Sequence, residues 1–467
     1  MAPLDLAPEE FRRLSHQVVD LATEFLETLD GRATFPATTG AAAEKIFTEA
    51  LPQQGIGDGA FDLLPEVLNH SRPPSPRFFG YVLGSGEPVA AIADLLASVL
   101  NQNLTAWRSS PAAVTIERTV VGWLAEAVGC KGFAGSLTGG GSPANLMALA
   151  MAREKNAPAN ERGAPHGVVY ASEEIHMSIG KSVALLGIGH DNLRLIPTDD
   201  SFRMRTSELQ QAIRADQRAG KTAIAVVASA GTVNTGAIDP LREVAEIAHR
   251  HGAWLHVDGA YGALAAIAVP EKFAGLNLAD SLSLDPHKWL YQPLDCGCLL
   301  FRDSEAARRT FSHSGDYAKA LSRDPIEGFA FFDESIELSR RFRALKLWLS
   351  LRYHGLNAFR QAIRRDLAHA QQLAKRIEQE PSLELLAPVP LSAVCFRHIP
   401  GRSEDMNRHN AAILQRVVQR GRVYLSNASI QGKFALRACF VNHRTTDVDV
   451  DAIVDEVIAA AGEIGRR

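Results

Sequence analysis

The chain has 467 residues, of which 46% are hydrophobic and 22% are charged, and its formal net charge is −4. This composition excludes a disordered protein and gives no basic surface for nucleic acid or an anionic membrane. No apolar run is long enough to span a bilayer, and the first residues do not form a signal peptide. Five cysteines, few and odd in number, predict a reducing cytoplasm without disulfides, with Cys296 and Cys298 as buried strand residues.

The first predicted element is an amphipathic helix near the N-terminus, which ends at Gly31. Its apolar residues recur at helical spacing: Phe11, Leu14, Val18, Leu21, Phe25 and Leu29. Such a stripe has to be buried on its own chain or on a second subunit, and we favour the second. Residues 1–80 are therefore predicted to be an N-terminal helical dimerisation segment.

Short apolar runs follow, each ended by turn residues or a helical stretch. They cover residues 167–172, 223–230, 254–258, 281–284 and 297–302. Their apolarity is continuous rather than alternating, which indicates strands covered on both faces in a mainly parallel sheet. Residues 240–252 between two of them form a predicted helix, with proline at its start and glycine at its end. We therefore expect a large, doubly wound α/β domain over residues 81–355.

The last part of the chain has a different pattern. Residues 360–379 read as a long amphipathic helix, and short strands at 393–398 and 434–441 alternate with further helices. Residues 356–467 are therefore predicted to form a smaller C-terminal α+β domain.

Two charged residues stand at the ends of predicted strands. Asp258 closes one strand and Lys288 follows another, and ligands of open α/β sheets bind at the carboxyl ends of the strands. The turn Gly140–Gly141–Ser142 precedes a helix that we expect to begin near Pro143, which predicts an anion site at the helix N-terminus. The turn fits neither nucleotide-binding glycine motif.

Each of these residues alone has an ordinary structural interpretation, but together they have the parts needed to hold pyridoxal 5′-phosphate. The glycine turn would bind the phosphate, Lys288 would form a Schiff base, and Asp258 would keep the pyridine nitrogen protonated. The imidazole of His176, between a predicted strand and helix, would supply a flat surface for the ring. No metal site is expected.

Several longer stretches resemble one enzyme family. They are "SPRFFGYV", "TGGGSPANLMAL", "GTVNTGAIDPL", "WLHVDGAYGA", "SLSLDPHKWL" and "LSRRFRALKLWLSLRYHG". Together they resemble the group II pyridoxal-phosphate-dependent amino-acid decarboxylases, most of all the aromatic L-amino-acid decarboxylases. The resemblance implies a fold-type I transferase with a mainly parallel seven-stranded sheet. It also implies an obligate homodimer with its active site at the subunit interface.

The resemblance assigns cofactor roles residue by residue. Lys288 matches the Schiff-base lysine, Asp258 the partner of the pyridine nitrogen, and His176 the ring-stacking imidazole. The remaining cofactor positions are Gly140, Gly141 and Ser142 in the phosphate loop, His287 beside the phosphate, Ala260 under the ring and Thr232 near the cofactor.

Three further positions concern the substrate and the final protonation. Tyr81 matches a residue that lines the substrate pocket. Tyr317 matches the tyrosine of a mobile catalytic loop, which helps to protonate the carbon once carbon dioxide has left, and His176 is expected to act as a catalytic relay for that proton. Relatives with phenylalanine at the position of Tyr317 tend to be aldehyde synthases. Ser339 matches a position where serine accompanies phenolic substrates, so the resemblance favours tyrosine or dopa.

Other activities on the same scaffold stay open at this stage. They are decarboxylation of a non-aromatic amino acid, aldehyde synthesis, and transamination, for which Arg437 would have to bind the substrate carboxylate. A non-enzymatic scaffold or binding module is another alternative, and such a protein would bind no cofactor. An NAD-dependent oxidoreductase is disfavoured, because no strand opens into G-x-G-x-x-G.

Overall fold

A seven-stranded sheet forms the centre of the computed structural model, which describes residues 4–163, 166–313, 324–400 and 405–464. Its strands are β1 (Ala134–Thr138), β2 (Val168–Ser172), β3 (Leu193–Ile196), β4 (Ala223–Ser229), β5 (Trp254–Asp258), β6 (Ser281–Leu284) and β7 (Gly297–Phe301). Their order is β1-β7-β6-β5-β4-β2-β3. Only β7 runs antiparallel to its neighbours within this sheet, so the predicted mainly parallel sheet is confirmed.

The buried strands are the ones that the sequence pattern identifies. Every residue of β2, β4, β5, β6 and β7 is buried, as continuous apolarity requires. Two of the predicted strands have the observed bounds, and the other three differ by one residue at one end. The pattern missed β1, which consists largely of small and polar residues, and the partly exposed edge strand β3. Cys298 lies in β7 as predicted, whereas the buried Cys296 comes just before it.

Helices cover both faces of this sheet and extend beyond it. In chain order they are α1 (Pro8–Glu27), α2 (Gly40–Phe47), α3 (Leu64–His70), α4 (Pro88–Leu100), α5 (Pro111–Ala127), α6 (Gly141–Asn156), α7 (Met177–Leu185), α8 (Thr206–Arg218), α9 (Leu241–Arg250), α10 (Pro286–Trp289), α11 (Ser304–Phe311), α12 (Ala344–His354), α13 (Leu356–Gln379), α14 (Met406–Arg420) and α15 (Asp447–Ile464). No helix in the described part of the chain is long and apolar enough to cross a membrane.

A second sheet follows in the C-terminal part of the chain. It contains β8 (Leu383–Leu385), β9 (Ala393–His398), β10 (Ser426–Ile430) and β11 (Lys433–Cys439), all antiparallel, in the order β10-β11-β9-β8. Helices α13, α14 and α15 share a buried apolar cluster with β8, β9 and β11. This is the predicted small α+β unit, while the limits placed at residues 80/81 and 355/356 stay predictions.

Two helices near the N-terminus have apolar faces that this chain leaves uncovered. Helix α1 has no buried residue, and Phe11 and Val18 of its apolar stripe are exposed. Helix α4 packs its small residues Ala90 and Ala93 inward, yet exposes Leu95, Val99 and their neighbours. Only Leu29, the last residue of the predicted stripe, is buried within this chain, and the other five are exposed or partly exposed.

A buried ion pair anchors the segment before α12. The side chains of Arg340 and Glu117 are almost completely inaccessible to solvent and hydrogen-bond each other. The guanidinium also donates to the backbone carbonyls of Leu104 and Leu137. Removing one partner of such a pair leaves an uncompensated buried charge.

We therefore expect Glu117→Ala to lower the free energy of unfolding by about 3–5 kcal/mol. The matched control is Glu126→Ala on the same helix, α5, because Glu126 is exposed and lies 4.0 Å from the exposed Lys131. Its expected effect is below about 1 kcal/mol. Denaturant titration of both variants measures the difference, and equal effects would contradict this role of the pair.

Candidate active site

A cavity of about 280 Å³ lies where β4, β5 and β6 end. All nine residues predicted to bind the cofactor line it: Gly140, Gly141, Ser142, His176, Thr232, Asp258, Ala260, His287 and Lys288. The carboxyl ends of neighbouring parallel strands share one edge of the sheet, which brings these distant residues together.

The glycine turn forms one end of the cavity. Helix α6 begins at Gly141, two residues earlier than predicted, so the first turn of the helix includes the glycine run. Gly140 has φ 144°, which a residue with a side chain rarely adopts. A Cβ at Gly141 would lie 2.6 Å from Cβ of Ala260, so the turn approaches the opposite wall closely. Backbone N–H groups in the first turn of a helix lack intrahelical partners and therefore favour an anion.

His287 lies against this turn as a neutral hydrogen-bond donor. Its Nδ1 accepts a hydrogen bond of 3.3 Å from the backbone N–H of Cys296, which places the proton of the neutral ring on Nε2. Burial lowers the pKa of His287, partly opposed by the carboxylate of Asp285. The ring therefore presents an N–H group beside the glycine turn without adding a charge.

Lys288 lies on α10, the single helical turn that directly follows β6. Its Nζ is 2.8 Å from Oδ2 of Asp285, three residues earlier on the same turn. Oδ1 of Asp285 is buried and has no hydrogen-bond partner in the described structure. Asp285 was not predicted from the sequence, although its position just before the "PHK" turn was a signal for it. The ammonium group is thus ion-paired and also lines the cavity.

Asp258 ends β5 and is almost fully buried. Its Oδ1 accepts hydrogen bonds of 3.2 Å from the backbone N–H of Ala260 and from the hydroxyl of Ser283. Its Oδ2 accepts one of 2.9 Å from the side-chain amide of Asn145. Three donors therefore hold this carboxyl group in place in the lining of the cavity. Sequence reasoning missed both Ser283 and Asn145.

His176 caps the N-terminus of α7 and lines the cavity with its ring. Its Nδ1 accepts hydrogen bonds from the hydroxyl of Ser178 at 2.8 Å and from the backbone N–H of the same residue at 3.2 Å. Burial lowers the pKa of His176, although the nearby Asp258 raises it. The ring is therefore neutral near pH 7, with its proton on Nε2.

Unlike the predicted cofactor residues, the two predicted substrate residues, Tyr81 and Ser339, do not line the cavity. Tyr81 is 54% exposed and does not line the cavity, but the next two residues, Val82 and Leu83, do. Ser339 is exposed in a separate surface cleft beside α4, away from the cavity of its own chain. Tyr317 lies outside the described residues.

The cavity has the groups that pyridoxal phosphate requires. A glycine turn at a helix N-terminus, with the N–H of His287 beside it, fits a phosphate. A buried carboxylate held by three donors fits a protonated pyridine nitrogen, and a lysine amine fits an aldehyde. Within the described ranges, no three side chains of the metal-ligating types are arranged to hold an ion.

Comparison with known proteins agrees with this fit. The family model described as "Pyridoxal-dependent decarboxylase conserved domain" matches residues 45–399. An aromatic-L-amino-acid decarboxylase of Bacillus atrophaeus is 35% identical over 99% of this chain and 97% of the relative. A phenylacetaldehyde synthase of Petunia hybrida is 31% identical over 92% and 90%. The crystal structure of Oryza sativa TDC with PLP and tryptamine superposes with a TM-score of 0.92 at 27% identity, over 99% of both chains.

Adding a methyl group to the glycine turn should weaken cofactor binding. In Gly141→Ala the new methyl group would lie 2.6 Å from Cβ of Ala260 and 3.2 Å from Oδ2 of Asp285. We expect the affinity for pyridoxal phosphate to fall by at least about tenfold, because an extra methyl group in a tightly packed place typically costs about 1–3 kcal/mol. Gly122→Ala is the control, because a Cβ there meets open space on α5. Unchanged affinity in Gly141→Ala, measured by titrating the apoprotein, would contradict this description of the cradle.

Proposed function

Because the chain belongs to the pyridoxal-dependent decarboxylase family, we propose that it converts an aromatic L-amino acid to the corresponding amine and carbon dioxide. The observation that carries the proposal is the presence of Lys288, Asp258 and the glycine turn in the lining of one cavity. A lysine amine and a carboxylate supported by three donors are the two groups that this cofactor needs from a protein.

Pyridoxal phosphate, when bound, supplies a ring that accepts the electron pair left behind by carbon dioxide. Asp258 would hold a proton on the ring nitrogen, and the donors around its carboxylate favour the charged form that this requires. Lys288 would supply the amine, while Asp285, 2.8 Å from its Nζ, would hold that side chain in the cavity. His176 would lie against the ring as a neutral imidazole.

An aromatic substrate is supported by the similarity to an aromatic-L-amino-acid decarboxylase and by a cluster of rings that lies outside the cavity lining but next to lining residues in the sequence. Tyr81 directly precedes the lining residues Val82 and Leu83, and its ring is 6.1 Å from that of Tyr424. The rings of Tyr424 and Phe78 stack at 4.5 Å. Among the described residues the cavity lining contains no arginine, which argues against a substrate with an acidic side chain. The choice of tyrosine or dopa rests on Ser339 and stays part of the proposal.

Transamination is the weaker alternative, because the arginine that it would use is already occupied. Arg437 is buried, and its guanidinium donates to the carbonyls of Asn234 at 3.1 Å, of Tyr81 at 3.0 Å and of Val233. These bonds join β11 to the cavity wall. They use three of the five N–H donors of the guanidinium, one on each nitrogen, and Arg437 does not line the cavity.

A homodimer with its active site at the interface is also part of the proposal. The uncovered faces of α1 and α4 provide the apolar surface that a second subunit would bury. Ser339 lies in a cleft with Ala97 and Asn101 at the end of α4, so it adjoins that surface. A role for Ser339 in substrate choice would then be exerted across the interface. A cytoplasmic location likewise stays a prediction from the cysteine content.

Replacing Lys288 with alanine tests the proposed chemistry. We expect Lys288→Ala to abolish carbon dioxide release from a panel of aromatic L-amino acids and to remove the visible absorption of the lysine-bound cofactor, because no other amine takes its place. Lys131→Ala, at an exposed lysine, should retain both properties. The assay contains no keto acid, which separates decarboxylation from transamination. Normal turnover in Lys288→Ala would contradict the assignment.

Aldehyde synthesis is the second candidate, favoured by the similarity to the Petunia hybrida synthase. The same assays distinguish the two activities if oxygen uptake and hydrogen peroxide are measured beside amine formation. Amine without peroxide supports the decarboxylase, and aldehyde with peroxide supports the synthase. Tyr317 would favour the amine according to the family resemblance.

Charged residues on α4 should dissociate the dimer. Leu95 and Val99 are 50% and 58% exposed in one subunit, and burying glutamate at either position would be costly. We expect Leu95→Glu/Val99→Glu to sediment as a monomer where the wild type sediments as a dimer. Val448→Glu, an exposed apolar position on α15, should leave the dimer intact. A monomeric wild type or a dimeric double variant would contradict this interface.

A further inference from the structure

One buried side chain connects the two residues proposed to contact the cofactor ring. Asn145 lies in the second turn of α6 and is 1% exposed. Its Nδ2 donates hydrogen bonds to Oδ2 of Asp258 at 2.9 Å and to the hydroxyl of Ser178 at 3.0 Å. Its Oδ1 is 2.9 Å from Nε2 of His256. All three of these hydrogen bonds are made to buried groups.

The direction of these bonds follows from the chemistry of Asp258. A carboxylate only accepts, so Nδ2 of Asn145 faces it and Oδ1 faces His256. Nε2 of His256 must then carry a proton, and Nδ1 of the neutral ring accepts from the hydroxyl of Ser281 at 2.9 Å. That hydroxyl in turn receives the N–H of the Trp254 indole at 2.8 Å, a group that only donates. The bond from Trp254 is compatible with the direction that the Asp258 end of this network requires.

A second branch runs from Asn145 to His176. The hydroxyl of Ser178 accepts from Nδ2 of Asn145, which leaves its hydrogen free to bond Nδ1 of His176 at 2.8 Å. Nδ1 is therefore an acceptor, and the proton of the His176 ring lies on Nε2. Asp258 directly, and His176 through the hydroxyl of Ser178, are therefore hydrogen-bonded to the same amide group.

The surroundings favour this arrangement of protons. His256 is completely buried, and burial lowers its pKa to about 4. The titratable groups facing Asn145 and its partners are Asp258 and His256 on β5 and His176 at the start of α7. The pKa of His176 is also raised by Asp285, just before α10, and lowered by Lys288 on α10 and Lys181 on α7.

We propose that Asn145 is a positioning residue that holds Asp258 as a charged acceptor and His176 as its Nε2–H tautomer through one hydrogen-bonded network. This inference rests on the proposed function, in which Asp258 and His176 contact the cofactor ring. Asn145 itself does not act on the substrate. Its amide donates a hydrogen bond to Asp258 and accepts one from His256. A carboxylate of similar size cannot donate, and an apolar side chain can do neither.

The variant Asn145→Asp tests the network through pH. When the introduced carboxyl group is protonated it still donates to Asp258, and when it ionises two carboxylates face each other. The quantity to measure is the dissociation constant of the variant for pyridoxal phosphate divided by that of the wild type. We expect this ratio to rise by at least about tenfold between about pH 5.5 and about pH 8.5. Asn156→Asp is the control. Asn156 lies on the same helix and donates only to the carbonyl of Ile224, so its ratio should stay constant.

The variant Asn145→Leu removes the donor without adding a charge. It leaves Oδ2 of Asp258 and Nε2–H of His256 unpaired, so binding should weaken by about tenfold at every pH. A constant ratio for Asn145→Asp, or unchanged binding by Asn145→Leu, would overturn the proposal. Failure of the wild type to bind the cofactor would instead overturn the proposed function.

A measurement on the wild-type apoprotein keeps the inference testable even if these variants fold poorly. Histidine-selective nitrogen NMR distinguishes protonated from unprotonated ring nitrogens. We expect His256 and His176 each to show a protonated Nε2 and an unprotonated Nδ1 near neutral pH. A protonated Nδ1 on either ring would contradict the network.

Discussion

The site depends on a constraint of backbone geometry: neighbouring parallel strands end at the same edge of the sheet. Strands β4, β5 and β6 pair in register, so Asp258 at the end of β5 and Lys288 just after β6 reach one cavity from positions 30 residues apart in the chain. Helix α6 adds the glycine turn from the same edge. A shift of one residue in β5 would turn Asp258 to the other face of the sheet and disconnect it from Asn145.

Buried charge is matched by partners throughout this region. Asp258 has three donors, Lys288 is paired with Asp285, and Arg437 is held by backbone carbonyls. The histidines at the cavity are instead kept neutral by burial, which lowers the pKa of both His176 and His287. The site therefore combines two carboxylates, Asp258 and Asp285, and one lysine with neutral N–H donors. That combination suits a phosphorylated ring whose nitrogen has to stay protonated.

Much of the fold and of the candidate site could be predicted from the sequence, because the patterns that indicate them are local. Continuous apolar runs identified the buried strands, and glycine repetition identified the turn before α6. Asn145 could not be found in this way: it is a single polar residue within the apolar stretch 143–152 of α6, and its partners Asp258, His256 and Ser178 come from distant positions. Ser339 shows a different limit, since its predicted role requires a second subunit that no pattern within one chain can place.

The central claim is that the amine of Lys288 is the one that condenses with the cofactor. Borohydride reduction of the protein loaded with pyridoxal phosphate fixes the cofactor on that amine, and peptide mass mapping then locates it. The account predicts a single modified peptide that contains Lys288. Modification of any other lysine, with the Lys288 peptide unchanged, would contradict it.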